Sequence, residues 1–189
     1  METFHTSVRR RTLEGDSKMA FDKLSQLGPR LLGEKSSDSE GAIKSAVQVL
    51  PISDSYREML LTFGGAVVFD NGAKFASDEK SPLNDKDGYQ SLEVLYGLGN
   101  GKNCIEQKAA QYAGELPTSF VPIGESSGGN LICVDGDGAV HLWNHESQRG
   151  EGTWRIAASI DEFVNRLEPD DSEIGSTEGI IESESFLDF

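Results

Sequence analysis

The clearest pattern in the chain is an apolar stripe at helical spacing. Tyr56, Met59, Leu60 and Phe63 fall at i, i+3, i+4 and i+7, which places them on one helix face. Ser53 or Asp54 can accept a hydrogen bond from an orphan N–H of the first turn. Gly64-Gly65 ends the helix, because glycine takes the left-handed cap conformation without a steric penalty. A second helix is predicted after Ser159. Ser159 and Glu162 form a capping box, and Ile160, Phe163, Val164 and Leu167 give the apolar face. Three shorter helices complete the set. One starts at Asp16 or Ser17, carries Ala20, Leu24, Leu27 and Leu31, and is broken or ended by Gly28-Pro29. One covers 40–47. One follows an Asn103/Glu106 capping box, carries Ile105, Ala109 and Tyr112, and runs to about Gly114.

Between these helices the pattern changes to strands. Residues 66–69 are apolar and precede an Asp70-Asn71-Gly72 turn. Residues 77–90 are polar and read as an exposed loop. In 92–98, Leu92, Val94 and Tyr96 alternate with Glu93 and Leu95. Residues 119–123 form a strand in which Pro122, having no N–H, belongs at an edge or a bulge. Ser126-Ser127-Gly128-Gly129 is a turn. Leu131-Ile132-Cys133-Val134 is a continuous apolar run and predicts burial on both faces. Asp135-Gly136-Asp137-Gly138 is a hairpin turn returning the chain through 139–145, and 154–157 is a last strand. Helices before and after a run of hairpin strands predict an α+β domain. The expected division is an extension over 1–39 with a Ser/Asp/Glu/Gly linker, one domain over 40–167, and an acidic tail over 168–189.

The charge sharpens this division. The 189 residues have a formal net charge of −15. Residues 1–30 hold six basic and four acidic side chains, 31–167 eleven and twenty, and 168–189 none and eight. The tail reads as solvated, although Ile180, Ile181, Phe186, Leu187 and Phe189 suit docking on the domain or on a partner. So negative a chain argues against direct nucleic-acid binding. No run approaches the roughly 18–20 apolar residues of a membrane span, so no membrane partner is expected. No apolar stretch follows Arg9-Arg10-Arg11, which argues against a secretory signal. Two cysteines, Cys104 and Cys133, make no disulfide scaffold and suit the cytoplasm.

The candidate chemistry is sparse. Gly128-Gly129-Asn130 lacks the Gly-Lys-Ser/Thr ending of a phosphate loop and precedes a strand. Asp135 and Asp137 are too few for a calcium loop. His141 and His145, four apart on a strand, stand roughly 13 Å apart, too far for one metal. Neither cysteine has a motif that suggests an activated thiolate, and Cys133 reads as a core residue. No catalytic residue, metal site or cofactor is expected. The strand over 139–145 offers a surface instead. Val140 and Leu142 point to the core, and His141, Trp143 and His145 point the other way. With Asp135, Asp137, Glu146 and Glu125 they form a half-polar aromatic face suited to a protein partner. The competing reading buries Trp143 under a loop or helix of its own domain.

These segments together resemble a known family. Leu50-Pro51, Tyr56 and Phe63-Gly64-Gly65 come first. Phe120-Val121-Pro122-Ile123-Gly124, Gly128-Gly129-Asn130 and Val134-Asp135 follow. Val140, Trp143 and His145 come next, closed by Phe163. In order and spacing they resemble the SUKH superfamily of Smi/Knr-type domains over residues 40–167. The resemblance implies a single α+β domain with a mixed, bent sheet and flanking helices, and no known catalytic activity. Many bacterial members are immunity proteins that bind and block a cognate toxin, often a nuclease or deaminase. Eukaryotic relatives act as interaction modules. The expected function is toxin neutralisation by protein–protein contact, with a basic toxin as partner. The alternative is a regulatory or scaffold module.

Overall fold

The structure is a computed structural model that describes residues 23–33, 41, 54–99, 101–147 and 152–170. Its strands are β1 (Pro29–Leu32), β2 (Ala66–Phe69), β3 (Lys74–Ala76), β4 (Tyr89–Leu95), β5 (Val121–Ser126), β6 (Asn130–Val134), β7 (Val140–Trp143) and β8 (Thr153–Ala157). Its helices are α1 (Asp54–Phe63), α2 (Ile105–Gln111) and α3 (Ile160–Arg166). One sheet runs in the order β1-β2-β4-β5-β6-β7-β8, with β3 also paired to β4. The fold is α+β. The ladders are antiparallel, and the mixed character implied by the resemblance is confined to an isolated parallel bridge between Gly97 and Cys104.

The apolar stripes become the core. Tyr56, Met59 and Leu60 of α1 are buried, as are Ile160, Phe163, Val164 and Leu167 in and after α3. The two helices pack on each other, and Phe163 meets Phe75 of β3 edge-on with ring centroids 5.3 Å apart. Ser159 Oγ accepts the Glu162 N–H at 3.1 Å, and the Glu162 carboxylate reaches back to the Ala158 N–H at 2.7 Å. Gly64, at φ +64, stops α1 while its N–H bonds to the Leu60 carbonyl. Leu131 to Val134 are closed to solvent on both faces. Pro122 sits at a register shift between β5 and β6, the kind of irregularity where a residue without an N–H is tolerated.

The sheet bends far enough to cover its own edge. Just past β3, the Asp78 and Glu79 N–H groups donate to the Ile156 and Arg155 carbonyls of β8, and the Glu79 carboxylate accepts the Arg155 N–H. The outer edge of β8 is thereby blocked against strand addition.

Several elements depart from the sequence pattern. The N-terminal helix ends by residue 26, because Gly28 turns the chain at φ +66 and Leu31 enters β1. Leu24 and Leu27 are core residues all the same. No side chain caps α2. Cys104 occupies its N-cap in an extended conformation, and the Asn103 carbonyl is taken by the Gly97 N–H. β3 lay unmarked before the expected loop. Its three residues are too short to show a period, and Phe75 alone is fully buried. β4 starts at Tyr89 and ends at Leu95, with a bulge between Leu92 and Val94. The expected caps near residue 16, the bulk of the 40–47 helix and the tail beyond residue 170 lie outside the described residues.

Candidate functional site

β7 alternates as expected. Val140 and Leu142 are closed to solvent in the core, while His141 and Trp143 face the opposite side. That side is not open, because α2 and the segment after it cover it. Trp143 is 2% exposed and meets the Tyr112 ring edge-on, with centroids 5.7 Å apart and planes at 74°. Phe120 lies over His141, with a centroid distance of 4.9 Å. The aromatic face is therefore closed, as the competing reading had it: Trp143 belongs to the buried core, with Tyr112 and Phe120 packed against that core. The physical reason is Trp143's large apolar area, which Tyr112 removes from water.

The polar members of this face pair inside the fold. Asp135 Oδ1 accepts the Asp137 and Ala139 N–H groups, each at 2.9 Å, and so holds the hairpin turn. Its Oδ2 lies 2.8 Å from His141 Nε2. Burial alone would raise the Asp135 pKa. The His141 bond and the two backbone N–H donors outweigh it and hold the carboxyl below its usual range. Glu125 accepts a 2.6 Å bond from the Tyr96 hydroxyl and a 3.0 Å bond from Lys108 Nζ. Burial again acts upward on Glu125, and these two donors bring it down. Burial first, and then the Glu125 anion, push the Tyr96 phenol far up, so it stays a neutral donor. Lys108 also stands 5.0 Å over the Tyr96 ring.

His145 packs against the Gly129 turn, and its Nδ1 is buried without a hydrogen-bond partner among the described residues. Asp137 and Glu146 are exposed, one at each end of β7, so the two acids do not converge. Glu106, Gln107 and Glu115 are exposed on α2 and the turn after it. A shallow depression lined by Gly99, Cys104, Glu106 and Gln107 opens at the start of α2. Sequence reasoning missed Tyr96, Lys108 and Phe120 as parts of this face. Lys108 and Tyr112 are four apart on α2, a spacing that puts them on one side. That was the available signal.

Among the described residues, no group of three or more His, Cys, Asp or Glu side chains could hold a metal ion. Cys104 and Cys133 are both buried free thiols, and burial pushes the Cys133 pKa well up, away from a reactive thiolate. No helix among these residues is long and apolar enough to cross a membrane. The arrangement offers a covered sheet whose outer side carries exposed acids and amides, Glu106, Gln107 and Glu115 among them.

Comparison with known proteins bears on this fold. The SMI1 / KNR4 family (SUKH-1) matches residues 39–166, more than half of the chain. The SPbeta prophage-derived uncharacterized protein YokK of Bacillus subtilis (strain 168) is 32% identical over 127 residues, 61% of this chain and 66% of that protein. The chain thus spans just under two thirds of that relative's length. No solved structure matches it.

Proposed function

Because the chain belongs to the SMI1/KNR4 (SUKH-1) family, commonly an immunity-type domain, we propose that it binds and neutralises a cognate protein toxin. The family match carries this reading, and the charge of the chain supports it. A protein with formal net charge −15 steers a basic partner, such as a nuclease- or deaminase-type toxin, toward itself. It acts by occupying the toxin rather than by turnover, in the cytoplasm where its two free thiols stay reduced. The contact surface is the outer side of α2 and the hairpin ends, with Asp137, Glu146, Glu106 and Glu115 meeting basic side chains. Trp143, His141, Asp135 and Glu125 stiffen the floor beneath, and His145 lines its margin.

The direct test is rescue. A toxin encoded by the neighbouring reading frame, once that frame is sequenced, is expressed in a sensitive cell with and without the chain. Survival only with the chain is expected, and equal killing in both would sink the proposal. Binding to that toxin should also slow steeply as salt rises. An on-rate indifferent to ionic strength would refute the electrostatic part.

The acidic tail with its apolar end favours a second reading, a regulatory or scaffold module docking through 171–189. Glu168 and Asp170 are bonded through their backbones to Lys74 and Asn71, so a cut after Asp170 spares the fold. Loss of every partner on that truncation would favour the scaffold, and intact toxin binding the immunity protein.

A further inference from the structure

We propose that residues 180–182 of the tail pair antiparallel with β1 and close the open edge of the sheet. β1 ends the strand order and pairs only with β2 among the described residues, whereas Asp78 and Glu79 already block the edge of β8. One bond sets the direction of the free groups. Gly28 stands opposite Asp70, and its carbonyl accepts the Asp70 N–H at 2.9 Å. Main-chain groups alternate in direction along an antiparallel strand. Arg30 and Leu32 therefore turn theirs to β2, while Pro29 and Leu31 turn theirs outward. Pro29 has its missing N–H on the open side, where a strand tolerates proline. Leu31 is left with an N–H and a C=O unpaired among the described residues, a template for one more strand.

Three observations point to the tail as the occupant. The first is where it starts. The Asp170 N–H donates to the Asn71 carbonyl at 3.1 Å, and Asn71 Nδ2 donates to the Gln26 carbonyl at 3.4 Å. The chain thus arrives at residue 170 beside its own entry to β1. Nine further residues reach Gly179 and span up to about 30 Å, enough to run the length of β1, roughly 13 Å, and turn back along it. The second is side-chain order. Arg30 and Leu32 are exposed, and Leu31 is half-buried. With Ile181 opposite Leu31, an antiparallel strand sets Ile180 opposite Leu32 and Glu182 opposite Arg30, apolar on apolar and acid on base. Phe186-Leu187-Asp188 repeats the order, but two consecutive β-branched residues make 180–182 the better strand. The third is charge. Residues 168–189 hold eight acidic and no basic side chains. Arg30 meets Asp70 through Nε and stays 60% exposed, so its outer nitrogens suit a second carboxylate.

Amide hydrogen exchange read residue by residue tests this, with the Leu31 amide as reporter. Leu31 is expected to be protected in the full chain and to lose that protection when the chain is cut after Asp170. Ile181→Pro, which removes the N–H donated to the Leu31 carbonyl, should cause the same loss. The Arg30 and Leu32 amides, turned to β2, should stay protected in all three proteins and so report an intact ladder. An unprotected Leu31 in the full chain would mean an open edge. Protection that survives the cut would assign the cover to another segment, and protection that survives Ile181→Pro would assign it to 186–188. Protection that grows with protein concentration would assign it to a second copy. Each of these four results overturns the pairing.

Discussion

At the scale of single residues, two positions show how closely the backbone is fitted. A Cβ on Gly97 would lie 1.9 Å from the Gly65 carbonyl carbon, whereas one on Gly101 would meet nothing within 4 Å. Gly97→Ala should therefore cost at least about 1–3 kcal/mol of overpacking strain, and Gly101→Ala should be close to neutral. Urea denaturation of both variants checks this, and equal midpoints would refute it. Asp135 predicts a pH dependence. Its folded pKa lies below the unfolded value of about 3.9. Between those two values the unfolded chain binds a proton that the folded chain does not, so stability rises with pH. The contribution is fully present above about pH 4 and is lost as pH falls through the folded pKa. Asp135→Asn should flatten the acid limb of midpoint against pH. A limb parallel to that of the unmodified chain would show that Asp135 contributes nothing.

Elements differ in how much of themselves the chain announces. α3 carries its capping box and its apolar face in consecutive residues, and both form as read. Removing the cap with Ser159→Ala should cost about 0.5–2 kcal/mol, measured by chemical denaturation, with Glu162→Gln as a milder companion. α2 is the contrary case. Its seven residues have no side-chain cap, and what holds it is tertiary, through Lys108 on Glu125 and the neighbouring Tyr112 on Trp143. β3 illustrates the same point, because three residues cannot display a period and its pairing with β4, with Phe75 buried, makes it an element.

Across the whole molecule, the folded unit is wider than the family match. β1 pairs with β2 along four residues, and Leu24 and Leu27 lie in the common core, although the match begins at residue 39. A chain beginning at residue 39 should melt well below the full chain. Leu27→Ala should lose about 2–5 kcal/mol by itself. An unchanged melting temperature for the shortened chain would mean that these leucines decorate the core without supporting it. The charge also changes meaning at this scale. Arg30 pairs with Asp70, and Arg166 with Asp78 and Glu162, so these three acids are partly neutralised where they stand. Other acids stay exposed, among them Glu106 and Glu115 at α2 and Asp137 and Glu146 at the ends of β7.

The sequence by itself determined the class of the fold, the two strong helices, the doubly buried strand at 131–134, the turn residues and the family. Each of these is written in neighbouring residues, as a period, a cap or a glycine. Only the tertiary structure decided what covers each face. Leu24 and Leu27 join the core through β1, some forty residues from the strand it pairs with. Trp143, on the opposite face of β7 from Val140 and Leu142, is buried in the core beneath Tyr112. Glu125 is committed to Tyr96 and Lys108, and Asp78 and Glu79 close on β8. Periodicity states which side of an element is apolar. It carries no term for which distant element will remove that side from water, and that choice is settled only when the whole sheet bends and packs.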